Sequence, residues 1–263
     1  MTAPTFTTTR LNPTTFAITT PTHPPTYLKR FSEPHILLHA GHPHPAIATY
    51  LETVPVSANG NRPLNPRGAH EYILTLLRLP HTAASTKLMP SMILASSNAA
   101  PPYPPLPVEH LEDTAMFPHV SLSETPLTAL LTPGVAPESL CVYDAGEAVL
   151  FAEELVGAVV FGLQSEVSEY WRSLERVLEF LRDEADEGAA VIAGGVVRVD
   201  AVEVVEGMKE LLGRVLRGEV KGAERGGGRG GRVLFYGGKE ASFLGPECVF
   251  DVGRKTLRGE LYS

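Results

Sequence analysis

Cysteine, aromatic side chains, positive charge and long apolar runs are all scarce in this chain, and each scarcity excludes something. Two cysteines in 263 residues, Cys141 and Cys248, are too few for a disulfide framework. A reducing, cytoplasmic location is the expectation that follows. The net charge of −8 and a pI near 5.6 leave no overall basic field to gather nucleic acid or anionic lipid. No nucleic-acid partner is therefore expected, whereas a small molecule or a protein suits the charge, and an oligomer is compatible with it. No stretch of about 18 apolar residues occurs, so no membrane-spanning helix is predicted. The opening MTAPTFTTTRLNPTTFAITT is rich in Thr and Pro and lacks the basic and apolar regions of a secretory signal. With 43% apolar and 20% charged residues the chain has enough material for a sizeable core, and a single domain over residues 1–263 is expected.

Proline is plentiful but uneven, with the 23 prolines concentrated in the first 140 residues. There, short apolar runs at Phe16–Thr19, Tyr27–Phe31, His35–Leu38 and Tyr72–Leu77 alternate with turn-forming clusters, which reads as strands joined by loops. Further on, Val167, Trp171, Leu174, Leu178 and Leu181 recur at helical spacing within Ser165–Glu184. This stripe is ordinary core rather than a ligand platform. A second helix is predicted from an Asp200 N-cap to about Arg217, with Gly218 as its stop. Between the helices, Ala189–Val199 is a buried-strand pattern broken by Gly194 and Gly195. Cys141–Tyr143 and Ala148–Phe151 form a predicted hairpin. The tract Lys221–Arg232, KGAERGGGRGGR, reads either as a flexible surface loop or as an RNA-binding element using Arg225, Arg229 and Arg232; the loop is preferred because no aromatic residue lies inside it. Val233–Tyr236 and Val249–Val252 read as ordered strand.

The segment Leu131–Leu140, LTPGVAPESL, carries the most information. With Leu131 and Val135 replaced by histidine it becomes H-T-P-G-H-A-P-E-S-L, which resembles a metal motif of the metallo-β-lactamase-fold hydrolases. Other segments over roughly Leu11 to Gly218 align with that family in order. Tyr72–His81, YILTLLRLPH, resembles the strand ending in T-H-x-H-x-D-H: Thr75 matches, Leu76 and Arg78 replace two histidines, Pro80 replaces the aspartate, and His81 keeps its type. Asn59–Gly68 resembles the loop leading to that strand. VLFAEEL at Val149–Leu155 resembles the L-F-x-G-D segment, with Glu154 at the metal-bridging aspartate and Glu153 at the glycine. The last histidine falls at Gly195, and His39-Ala40-Gly41 takes the place of a supporting D-x-G turn. The resemblance implies an α+β fold, a four-layer αββα sandwich.

It also implies a remnant pocket of Leu76, Arg78, His81, Leu131, Val135, Glu154 and Gly195 with no metal. A hydrolytic zinc site needs about three protein ligands and an open water position, and the matched positions retain His81 and Glu154. At ~4 Å and an effective dielectric of ~20, the charge of Arg78 opposes a zinc ion by roughly 8 kcal/mol. Burial of Leu76 and Val135 offers about 1.5–3 kcal/mol each to a metal-free pocket. Arg78 is expected to turn toward Glu154 as a charge partner. No cofactor is expected, and the preferred reading is a zinc-less pseudoenzyme that binds a small molecule or a protein.

Rival readings stay open beside it. His81, Glu154 and His39 are the candidates for a rebuilt catalytic site in a divergent hydrolase of ester, thioester or lactone bonds. His35, His39, His42 and His44, spaced H-x3-H-x2-H-x-H, suit either a relocated metal site or an irregular proline-bounded loop. Ser139 and Cys141 lack the G-x-S-x-G context of a nucleophile elbow; Ser139 is expected to cap or turn its loop and Cys141 to pack in the next strand. Adjacent glutamates on a strand point to opposite faces, so Glu153 and Glu154 are not expected to cooperate as acid and base.

Overall fold

The computed structural model describes residues 6–21, 23–30, 35–39, 47–64, 70–75, 92–96, 108–111, 126–183, 185, 188–228, 231–237 and 241–258. They fall into two compact units, each described by itself below; Gly194–Val196 is grouped with the first.

The first unit is built on a seven-stranded sheet in sequence order: β1 (Thr7–Arg10), β2 (Thr15–Thr20), β3 (His23–Arg30), β4 (His35–His39), β5 (His70–Thr75), β6 (Met92–Ser96) and β7 (Val108–Leu111). β1 to β4 are antiparallel, and β4 to β7 run parallel. The four expected strands in this half fall on β2, β3, β4 and β5; Phe31, Leu76 and Leu77, at the ends of two of them, lie outside the described residues. Parallel neighbours need long crossovers, and the helix α1 (Ile47–Thr53) lies in the connection from β4 to β5. Ile47 and Leu51, one turn apart on α1, join Phe16, Ile18, Leu28, Val56 and Leu64 in one core.

The second unit carries two sheets and three longer helices. Its five-stranded sheet has the order β13-β12-β10-β9-β8, formed by β8 (Leu127–Leu131), β9 (Leu140–Asp144), β10 (Val149–Phe151), β12 (Ala190–Ala193) and β13 (Val196–Arg198). The predicted hairpin is β9 and β10, paired Asp144 to Val149. β11 (Ala158–Val160), β14 (Ala223–Gly228), β15 (Gly231–Gly237) and β16 (Ser242–Pro246) form a four-stranded sheet in the order β11-β16-β15-β14. The helices are α2 (Val167–Asp183), α3 (Ala201–Leu216) and α4 (Glu247–Thr256). α2 buries the stripe of Val167, Trp171, Leu174, Leu178 and Leu181. α3 begins as expected, the Asp200 carboxylate accepting from the Glu203 backbone N–H at 3.0 Å. Gly218, at φ +79, follows its end. α2, α3 and α4 share one apolar core with the inner faces of both sheets.

Four expectations need correction. The tract Lys221–Arg232 is not a flexible loop: Ala223–Gly228 is strand β14, paired antiparallel with β15 across a bulge. Arg225 lies over the Phe235 ring at 5.1 Å and Arg232 beside Glu224 at 3.4 Å, while Arg229 lies outside the described residues. Val249–Val252 is part of helix α4, with Glu247 in the first turn, Arg254 and Lys255 in the last, and Val249, Phe250 and Gly253 buried on one side. Glu153 and Glu154 are not on a strand: β10 ends at Phe151, and Ala152 O accepts the N–H groups of both Leu155 and Val156, closing a turn. His35 and His39 are in regular strand β4 rather than an irregular loop.

Candidate functional site

Every polar backbone group of a buried loop needs a partner, and Leu131–Leu140 finds its outside partners on α2 and on Ser165 and Glu166 just before it. Gly134 sets the geometry. Its φ of +136 and its closeness to α2 both require glycine, because an added Cβ would lie 2.4 Å from the N, Cα and Cβ of Tyr170. Around that contact Gly134 O accepts the Glu166 backbone N–H at 2.7 Å. Ser165 Oγ donates to Val135 O, Ser173 Oγ to Pro133 O and the Arg176 guanidinium to Leu131 O, each at 2.7 Å. Thr132 N–H donates to Ser139 O at 2.9 Å, and Ser139 N–H to Ala136 O at 3.2 Å. The loop is thereby shaped from within and held from outside.

Ser139 joins this loop to the turn that carries Glu154. Its buried hydroxyl donates to Glu154 Oε2 at 2.6 Å and accepts the Ala136 N–H at 3.2 Å. A hydroxyl on a carboxylate is a charge-assisted bond of about 1.5–3 kcal/mol. Tyr170 Oη donates to Leu155 O at 2.5 Å, so the residue that walls off Gly134 also fixes the Glu154 turn. Burial, and secondarily the neighbouring Cys141, pushes the Tyr170 phenol well above its ordinary pKa. It remains a neutral donor.

Cys141 lies beneath the same cluster. Burial above all pushes its thiol up to about 12; the hydrogen bond with Thr132 opposes that shift, while the Glu154 and Glu153 carboxylates add to it. Sγ and Thr132 Oγ1 are 3.6 Å apart. A thiol held neutral and buried packs rather than attacks, as expected from the sequence.

Of the sequence-derived pocket residues, Leu131, Val135 and Glu154 belong to the second unit and are gathered around the Leu131–Leu140 loop. Leu131 is half-buried and offers its carbonyl to Arg176, and Val135 packs against the apolar core. Gly195, grouped with the first unit, has φ +75, and its N–H donates to Tyr27 Oη at 2.9 Å. Also in that unit, β5 ends at Thr75, and the β4–β5 register pairs Thr75 with His39. Leu76, Arg78, His81, His42 and His44 lie outside the described residues, and so does the expected pairing of Arg78 with Glu154. Ser165, Ser173, Arg176 and Tyr170 were not anticipated as supports. Their one signal in the sequence is polar positions interleaved with the apolar stripe of α2.

Zinc needs donors with lone pairs. At the positions that the resemblance assigns to ligands, leucine, valine and glycine provide no donating side chain, and the glutamate already accepts a hydroxyl proton. Among the described residues no group of three or more His, Cys, Asp or Glu is arranged to hold a metal ion.

These sheets and helices define the metallo-β-lactamase fold, α+β in class. A flavo di-iron protein from Thermotoga maritima, solved as a mutant, matches with a TM-score of 0.54 and 12% identity over 80% of this chain, which spans 62% of that protein's length. A B3 metallo-β-lactamase described as having an active-site glutamic acid matches with a TM-score of 0.53 and 12% identity over 81% of this chain and 91% of its own. A metallo-β-lactamase from Pontibacter korlensis gives 0.54 and 14% identity, covering 79% and 98%. Similarity at this level speaks for the fold. No family model matches the chain, and no curated protein matches it in sequence. No helix among the described residues is long and apolar enough to cross a membrane.

Proposed function

We propose that this chain is a zinc-less pseudoenzyme on the metallo-β-lactamase fold, a binding protein for a small molecule or a protein partner. The observation that supports it most is the Ser139–Glu154 hydrogen bond. In the aligned family an acidic side chain at that place bridges metals; in this chain its counterpart accepts a buried hydroxyl at 2.6 Å, within a loop whose ligand positions are Leu131 and Val135. Bringing zinc to Glu154 would break that bond and return an apolar loop to a cation, at a cost of several kcal/mol. The position holds the fold together instead.

A divergent hydrolase of ester, thioester or lactone bonds is the second reading, with His39, His81 and Glu154 in a rebuilt site. Two observations favour it. His39 pairs in register with Thr75, the strand end from which the family's first metal motif extends. One fold neighbour is described as a metallo-β-lactamase with an active-site glutamic acid, so a glutamate in the active site is compatible with enzymes of this fold. The deciding experiment assays the purified chain against ester, thioester and lactone panels with and without added zinc. The pseudoenzyme reading expects rates equal to those of Glu154→Gln and His81→Ala controls. Zinc-stimulated turnover lost in both controls overturns it.

A further inference from the structure

The four-stranded sheet has two edges, and they are treated differently. A strand edge left open to solvent is usually blunted by charged side chains, proline or a bulge, because its bare backbone groups would otherwise pair with another chain. β14 is blunted in this way: its register shifts between Glu224 and Gly226, and the charged Glu224 and Arg225 stand on it. β11, the other edge, has none of these devices. The segment around it, LVGAVVFGLQS at residues 155–165, contains neither a charge nor a proline. The Arg198 guanidinium stands beside Gly157, before the strand begins. Only half of the β11 backbone is used by β16. In their parallel register Gly157 O accepts the Ser242 N–H at 2.9 Å, and the Phe161 N–H donates to Leu244 O at 2.8 Å. Bonded residues alternate along a parallel strand, so Ala158 and Val160 point their N–H and C=O groups away from β16. Those groups have no partner among the described residues. Side chains divide likewise: Val159 and Phe161 are in the core, whereas Val160 is 58% exposed and Leu163, just beyond, is 66% exposed. On the face turned away from that core, Val160 ends an apolar row that runs through Leu244 and Phe235 to Ala223.

We propose that β11 pairs antiparallel with β11 of a second copy of this chain, about a two-fold axis at Val159. Ala158 of each copy then lies opposite Val160 of the other, each such pair exchanging two N–H···O=C bonds, and the two Val159 residues meet across the axis. A methyl group opposite a branched side chain leaves room for both, and Val160 is covered. Charge argues for a second copy as the occupant. Each chain carries −8, so two copies repel except where the surface is neutral, and residues 155–165 supply such a surface. An acidic or basic strand of another protein finds no opposite charge on that segment to select it. The strand is short, so the dissociation constant expected is on the order of 100 μM.

Sedimentation equilibrium of the full chain between about 10 μM and about 1 mM should show the mass rising from one chain toward two. Added salt should leave that rise intact or enlarge it, because it screens the repulsion between acidic copies. Val160→Lys, a change at an exposed side chain, should weaken self-association at least about tenfold by placing like charges near the axis. Val160→Pro removes only an N–H that faces away from β16, a position at which an edge strand tolerates proline, and should weaken it as much. Amide exchange in the unsubstituted chain gives a residue-level readout. Over the same concentration range the Ala158 and Val160 amides should slow about fourfold, while the Phe161 amide, bonded within its own chain, keeps its rate. If a variant fails to fold, this exchange measurement decides. A single chain at every concentration, association unchanged in Val160→Lys, or exchange at Ala158 and Val160 that ignores concentration overturns the proposal.

Discussion

Replacing Gly134 by alanine introduces one methyl group, and the surroundings make that substitution severe. The new carbon would lie 2.4 Å from three atoms of Tyr170, two of them backbone atoms of α2 that cannot rotate away. The backbone at φ +136 is itself unfavourable for an L-residue, costing about 1–3 kcal/mol. Relief requires the loop to lift by roughly 1 Å, which strains or breaks the four hydrogen bonds that Glu166, Ser165, Ser173 and Arg176 make to its carbonyls. Each contributes about 1 kcal/mol net. Not all terms are lost together, and a destabilisation of about 3–5 kcal/mol is expected. The assay is equilibrium urea unfolding followed by the fluorescence of Trp171, the residue next to Tyr170 on α2. Gly218→Ala is the control: its φ of +79 is also left-handed, but no atom lies within 4 Å of the added carbon, so about 1–2 kcal/mol is expected. If Gly134→Ala costs no more than that control, the loop is not held against α2 as described.

Further outcomes follow from the same structure. Ser139→Ala removes the hydroxyl from Glu154 and leaves the Ala136 N–H without its acceptor, so urea unfolding should show a loss of about 2–3 kcal/mol, whereas Ser139→Thr should retain part of it. With its thiol raised to about 12, Cys141 stays protonated in the folded chain while the unfolded chain ionises near 9, so its contribution to stability is complete below pH 9 and falls by up to about 1.4 kcal/mol per pH unit above it. Comparing the pH dependence of unfolding with that of Cys141→Ala checks this; identical slopes between pH 9 and 11 would refute it. An aromatic disulfide reagent at pH 8 should modify exposed Cys248 and reach Cys141 only after denaturation. Asp200→Ala should cost about 1–2 kcal/mol in thermal unfolding, and Asp200→Gly less, because residue 200 has φ +62 and glycine tolerates that backbone.

The elements visible from the sequence are those specified by neighbours along the chain. α2 and α3 declare themselves through apolar spacing, and Asp200 and Gly218 mark the ends of α3 by local backbone chemistry. The β9–β10 hairpin is similarly local. Misread segments depend on distant partners or on too short a window. Ala223–Gly228 is a strand because Gly226 and Gly227 pair with Val233 and Arg232 and Arg225 covers Phe235, none of which its glycine-rich composition advertises. Val249–Val252 looks like strand over four residues, while Glu247 and Arg254 at the two ends of ten residues reveal a helix. At the site, Pro133, Gly134 and Pro137 mark the loop as retained. The hydrogen bond from Ser139 to Glu154 was not legible, because Ser139 approaches it across fifteen residues and a hairpin.

The central claim is that the Leu131–Leu140 loop now holds its pocket by packing and hydrogen bonds where a metal was once expected. Equilibrium dialysis of the purified, tag-free chain against micromolar zinc, followed by elemental analysis, tests it most directly. The account predicts well under one zinc per chain, with the same residual content in Glu154→Gln. One or two zinc ions per chain, lost on substituting Glu154, would contradict it.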